Sequence, residues 1–421
     1  MSHELRATSP ADNLRLERKT STACKTKSHN TIILRVMPPN SPRLRVSAWF
    51  RSFLSSPQAT FIREALQKVI TLLTITEPLW TGTAVAFVFI SYLLNIGPAY
   101  PWIGLGVVSL TFPLRLINRS ASRLATPFDL PLALLMIAAL LGLLTSPNRT
   151  ISLGAFQCML AMSLLYYSWV NYIKISTLMK CVLLLSPLAF LIVLLLALFN
   201  LPSPSTQPNF VFGGIGTHHG LALALVIVVA ILTGMAIFGH HTATRLLAGI
   251  ICLSFLVIVL IVTWESLKSL LTWESISGRL PIWGDTIDMI KDSPLSGLGL
   301  GCWALVYHGS ATITSEITHA HNAYLELYSN TGILGAIALV FFLGVGLKIA
   351  FDIIKSPRNN PWYGFGVGIV LACVATLMVS IVESAPTGVP LVASDTYYYL
   401  ISPIPWILAG LLVIARNLQS T

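Results

Sequence analysis

Charge is scarce in this chain. Of its 421 residues only 10% are Asp, Glu, Lys or Arg, 55% are hydrophobic, and the mean hydropathy is +0.77. A soluble domain carries about a quarter charged residues, so this composition excludes a soluble globular protein and indicates an integral membrane one. Cysteine is also sparse. Of six, Cys158, Cys181, Cys252 and Cys373 fall in apolar runs, Cys24 near the N-terminus and Cys302 alone in a polar stretch, so no disulfide framework is expected. Internal repeats are lacking, which withdraws support from an inverted-repeat transporter. The first 60 residues contain no apolar segment of signal-peptide type, so none is expected.

What is present is a succession of apolar runs long enough to cross a hydrocarbon core of about 30 Å. They are continuous rather than alternating, which favours helices over a barrel. Ten spans are expected, at 79–97, 101–118, 129–145, 151–171, 181–200, 219–238, 246–264, 333–354, 364–382 and 398–415. The stretch 62–76 is too short to cross and reads as an interfacial helix. The fold class is therefore an all-α polytopic membrane protein. It has a basic cytoplasmic tail over 1–61, a membrane domain over 62–421, and a large loop over 265–332.

The basic residues orient it. With the N-terminus inside, 22 of the 26 Lys and Arg fall on the cytoplasmic side, and only Arg149, Lys268, Arg279 and Lys291 lie opposite. The positive-inside rule then puts 265–332 outside the cytoplasm. Much of the net charge of +10 sits in the tail, which lacks any folded nucleic-acid motif and reads as a disordered segment attracted to anionic lipid. Nucleic acid is not an expected partner; the bilayer is.

The outer segments hold the polar chemistry. In 265–332 the segment Ser277-Gly278-Arg279 is expected to precede an amphipathic helix on which Ile282, Trp283, Ile287 and Ile290 share one face opposite Asp285, Asp288 and Asp292. A second helix is expected to begin near His321 and to carry Tyr324, Leu325 and Tyr328 on the histidine's face, with Gly332 and Gly335 packing closely on re-entry. His321, beside Asn322 at the mouth of an apolar helix, can handle protons near neutral pH, unless it is a satisfied structural residue. Arg279 can bind an anion bidentately, or snorkel to headgroups. The pair His319 and His321 lacks a third ligand at a known spacing, so no metal is expected. The spacing Gly297-x-Gly299-x-Gly301 follows no parallel strand, which rules out a dinucleotide loop. His218 and His219 open a span and either face the same cavity or cap that helix.

Three segments taken together resemble the O-antigen ligase and polymerase superfamily: Ser277 to Trp283 around Arg279, the turn from Pro294 to Gly299, and His321-Asn322 followed by Gly332-x-x-Gly335. The phrase His319 to Glu326 looks particularly like its exopolysaccharide-polymerisation branch. The resemblance is dense over about 265–345 and topological elsewhere.

It implies a C-type glycosyltransferase fold in a bacterial inner membrane, taking a glycan from undecaprenyl diphosphate on the periplasmic side to an acceptor hydroxyl. The acceptor would be lipid A core or a growing glycan, the configuration would invert, and neither metal nor nucleotide sugar would be needed. By resemblance Arg279 engages the donor diphosphate and His321 activates the acceptor. Asn322, Tyr324, Trp283, Lys268, His218 and His219 are expected to line the substrate site. The chain departs from the family pattern in a shortened segment before Arg279. It also carries His218 and His219 where a second outer arginine is expected, with Lys268 or Arg149 as substitute cations. The rival reading is a transporter or flippase of a lipid-linked sugar or small anion. Such a protein should carry ionisable groups in mid-span, where this chain is nearly devoid of them.

Overall fold

Long apolar runs leave the backbone no partner but itself in hydrocarbon, and the chain answers with helices. The computed structural model describes residues 57–93, 97, 99–118, 125–172, 218–271, 273–307, 317, 319–384, 388–393 and 396–420. The chain divides into two compact units, Met1–Ala65 and Leu66–Thr421. Of the tail expected over 1–61, residues 1–56 lie outside the described residues, as does the span expected at 181–200, whereas 57–61 are helical. The segment 57–65 belongs to an amphipathic helix, Pro57–Ile75 (α1), which exposes Phe61, Ile62, Leu66, Val69 and Leu72.

The larger unit continues with α2 (Glu77–Leu93), α3 (Tyr100–Ser109), α4 (Thr111–Asn118), α5 (Asp129–Leu144) and α6 (Arg149–Tyr172). There follow α7 (His218–Phe238), α8 (Thr242–Leu271), α9 (Trp273–Asp292), the single turn α10 (Trp303–Val306), α11 (Ala323–Lys355), α12 (Tyr363–Val382) and α13 (Ile404–Gln419). Among the described residues, Arg149–Val170, Ala323–Lys355 and Tyr363–Val382 are long and apolar enough to cross a membrane, and six further apolar helices are shorter. This is a helical membrane protein.

Four expectations are corrected. The run 101–118 forms two helices, α3 and α4, rather than one. Helix α9 begins before Ser277, so Arg279 lies inside it, with Pro281 in the same helix. His321 is not on a helix face: it has φ 50° and precedes the helix that Asn322 caps. The run 398–415 is not all helix. Gly388–Ala393 (β1) and Thr396–Ile401 (β2) pair as an antiparallel hairpin, Val389 opposite Leu400, before α13 starts. Residues 389–401 are rich in β-branched and aromatic side chains, which favour strand.

Glycine lets α7 and α12 approach at backbone distance. A Cβ at Gly234 would collide with the main chain of Gly368 and the Gly364 carbonyl, the close packing that small residues permit in membranes. A buried core joins α2, α5, α6 and α13, with Phe128 packed on Phe342 at 4.7 Å and edge-on to Tyr166 at 6.2 Å between ring centroids.

Candidate functional site

Helix α11 is broken at Gly332 (φ 66°, ψ −163°), and the glycine turn after α9 is seated in the break. The Leu298 N–H donates to the Ser329 carbonyl at 2.6 Å, the Ile333 N–H donates to Pro294 O at 2.9 Å, and the Leu300 N–H reaches Gly142 O at 3.4 Å. The spacing Gly297-x-Gly299-x-Gly301 is thus a lock, with all three glycines at positive φ, where a Cβ would be strained. It holds the outer loop against α5 and α11.

Above the lock, one peptide is gripped from two sides. The indole N–H of Trp283 donates to Ala320 O at 3.1 Å, and the Ala320 N–H donates to the buried Glu326 carboxylate at 2.7 Å. Ala320 is fully buried with Ile282, Leu298 and Trp303, so its neighbours His319 and His321 are held on a fixed backbone. Asn322 ends the segment. Its side-chain oxygen accepts from the N–H groups of Tyr324 and Leu325, both at 3.0 Å, capping α11 as Asn does by preference. Its amide nitrogen donates to Ile381 O at 2.9 Å, and its backbone N–H donates to Ser384 Oγ at 3.1 Å. The two ends of α11 and α12 are thereby tied together.

That tie delivers Glu383, the C-cap of α12, to both imidazoles. His319 Nε2 lies 3.4 Å from Glu383 Oε1, and His321 Nδ1 lies 3.8 Å from Oε2, an ion-pair separation too long for a hydrogen bond. The rings are 3.9 Å apart between centroids. Glu383 is 2% exposed, and its Oε2, His321 Nδ1 and Arg279 Nη1 are buried without a hydrogen-bond partner among the described residues. Arg279 is brought from α9 to this cluster.

The electrostatics follow from burial and one shared carboxylate. Burial pulls the Arg279 guanidinium down, and the Glu383 charge partly offsets it. For His319 burial opposes the charged form, but contact with Glu383, helped by Glu326, outweighs it and raises the pKa. Burial dominates for His321. Glu383 pulls the other way, while the neighbouring charges of His319 and Arg279 add to burial, and its pKa is lowered. Burial alone would raise Glu383; the two imidazoles instead hold it well below the usual carboxylate range. The donor atoms of His319, His321 and Glu383 lie within 4.8 Å of one another, a spacing a cation could bridge. The Arg279 charge, however, already faces the same carboxylate.

Sequence reasoning therefore finds Arg279 and His321 in one place, with Trp283 and Asn322 acting on the backbone that carries the histidines. Tyr324 stands in the first turn of α11, and its hydroxyl donates to Leu377 O at 2.9 Å. His218 and His219 open α7 and Lys268 lies in α8; their side chains fall outside the described part of the structure. Glu383, His319 and Glu326 were not among the residues expected to act. The signals for them were present: an acid closing an apolar span, and an acid four residues after Asn322.

Beside the cluster runs an apolar cleft of about 440 Å³ between α5, α11, α12 and α13. Tyr324, Leu377 and Ser380 line one end, Phe128, Gly346 and Ala350 the other. From Tyr324 to Ala350 the path along α11, broken at Gly332, amounts to about 39 Å of helical rise.

Fold and site define a helical membrane protein that holds a buried arginine, two histidines and a glutamate beside an apolar cleft. Residues 210–340 match the O-antigen ligase family model. A search of curated proteins finds no match to the chain.

Proposed function

We propose that this protein is a metal-independent, inverting glycosyltransferase of the bacterial inner membrane. It would move a glycan from undecaprenyl diphosphate to an acceptor hydroxyl on the periplasmic face, in lipopolysaccharide or exopolysaccharide biosynthesis. The observation that carries this reading is the buried guanidinium of Arg279, with Nη1 unpartnered among the described residues, next to an imidazole whose proton affinity is lowered. A buried guanidinium nitrogen left without an acceptor is costly, and a diphosphate ester is an anion that a guanidinium grips bidentately. The apolar cleft supports a lipid-borne donor, since it offers an alkyl chain an environment free of charge along much of a membrane's thickness.

The chemistry assigns one task to each group. His321 turns Nδ1 to Glu383, which leaves Nε2 for the acceptor. The acceptor O–H proton passes to Nε2 as its oxygen bonds to the anomeric carbon from the face opposite the diphosphate. The anomeric C–O bond then breaks and its electron pair leaves with the diphosphate, where Arg279 meets the charge that develops. Glu383 stabilises the imidazolium formed on His321. The acceptor, whether lipid A core or the end of another glycan, would contact the outer loop.

The test is transfer in vitro with purified lipid-linked donor and candidate acceptors. Arg279→Ala and His321→Ala should each lower transfer by about 10²-fold or more while membrane insertion persists. Full activity in both variants overturns the assignment. Product length separates a single ligation from polymerisation.

A further inference from the structure

One buried carboxylate serves two imidazoles here, and that ratio has a consequence. With both rings protonated, two imidazolium ions 3.9 Å apart and the Arg279 guanidinium would face the carboxylates of Glu383 and Glu326, an excess of positive charge in a buried site. Like charges at that range are strongly disfavoured in low dielectric. With neither ring protonated, the buried carboxylates of Glu383 and Glu326 would outnumber the Arg279 guanidinium that faces the pair. One proton on the pair balances the site best. The geometry also distinguishes the rings. His319 Nε2 is the nearer to Glu383, 3.4 against 3.8 Å. Glu326 from α11 adds its field to His319, whereas His321 Nδ1 has no hydrogen-bond partner among the described residues.

We propose that His319 and His321 together hold a single proton across Glu383, that the proton resides on His319, and that His319 is the positioning residue which keeps His321 empty and ready. The charge balance stands on the geometry alone; the readiness of His321 as a base rests on the glycosyl-transfer reading. Among the described residues the charged groups facing the pair are Arg279 from α9, Glu326 from α11 and Glu383 from the end of α12. Coupled sites of this kind titrate as a unit rather than ring by ring.

The conservative probe is His319→Gln, which keeps a hydrogen-bonding side chain and removes the charge. Glu383 is then left to His321, so His321 should become the protonated ring at neutral pH. The acid limb of kcat should move up by about one pH unit. Transfer should fall roughly tenfold near pH 6.5 and approach the parent's near pH 8.5, with KM for the lipid-linked donor unchanged. A structural role predicts an equal loss at every pH, and that result overturns the proposal.

A second readout needs no substrate. Nitrogen-15 histidine NMR of the intact protein in nanodiscs, assigned with His319→Gln and His321→Gln, should show a pH range on both sides of the ordinary imidazole value of 6.5 in which His319 is charged and His321 neutral. Both rings titrating together near pH 6.5 overturns the one-proton assignment, even if transfer is measured and real. Stoichiometric Zn2+ retained by the purified protein, with transfer lost on chelation, overturns it equally.

Discussion

Glu383 and His321 face each other at 3.8 Å from the facing ends of two membrane helices, one residue closing α12 and the other leading into α11. Neither group is placed by its own helix alone. The Asn322 cap and its bond to Ile381 O join the helix ends. The Ala320 peptide, gripped by Trp283 and Glu326, then aims the imidazoles at the carboxylate.

Glu383→Gln should remove the counter-charge of both histidines and lower transfer by about 10²-fold. It should also change how stability depends on pH. The Glu383 contribution, from a depressed pKa, is present above its unfolded value of 4.5 and lost as pH falls through the lower folded value. The His319 contribution, from a raised pKa, is present below its unfolded value of 6.5 and lost as pH rises through the higher folded value. The two overlap between pH 4.5 and 6.5, where the thermal midpoint of Glu383→Gln should fall furthest below the parent's. A deficit that is flat across pH 4 to about 9 would contradict the pairing.

Arg279→Lys keeps one positive charge but not the planar fork. The donor KM should rise about tenfold, with Arg279→Ala worse, and acceptor KM should hold steady. Equal donor KM in parent and lysine variant would argue that Arg279 does not grip a diphosphate.

Gly332→Ala should unseat the glycine lock. At φ 66° a side chain is strained, and its Cβ would run into the Leu295 carbonyl and the Gly297 nitrogen. A cost of about 3 kcal/mol or more is expected from strain and collision together, read as a lower thermal midpoint. Gly344→Ala, where a Cβ has open space, is the control and should match the parent.

Asn322→Ala should cost about 1 kcal/mol for the lost cap and more for the Ile381 carbonyl left without its donor. Asn322→Ser restores a capping oxygen but does not reproduce the amide that reaches Ile381, so its midpoint should fall between the two. Should serine restore stability fully, the bond between α11 and α12 contributes nothing.

Arg279 and His321 were legible because each is a polar exception beside apolar runs, on the face the positive-inside rule puts outside the cytoplasm. Helices α5, α6, α7 and α12 follow the apolar runs closely. Glu383 escaped notice, since nothing local says that a residue closing one span meets the residue opening another. The hairpin at 388–401 was absorbed into an expected span, because strand-forming Val, Leu and Tyr are also apolar and hydropathy does not separate the two. The histidines were placed near a helix face by spacing. The tertiary ties to Ser384 and Glu326 instead hold His321 at a left-handed φ outside the helix.

By itself the sequence determined that this chain lives in a bilayer as helices, because apolar side chains and self-satisfied backbone are local properties readable residue by residue. Only the tertiary structure decided that Arg279, His319 and His321 gather around the buried carboxylate of Glu383. Proton affinity depends on which groups lie within a few ångströms in low dielectric, and that proximity is set by how helix ends meet.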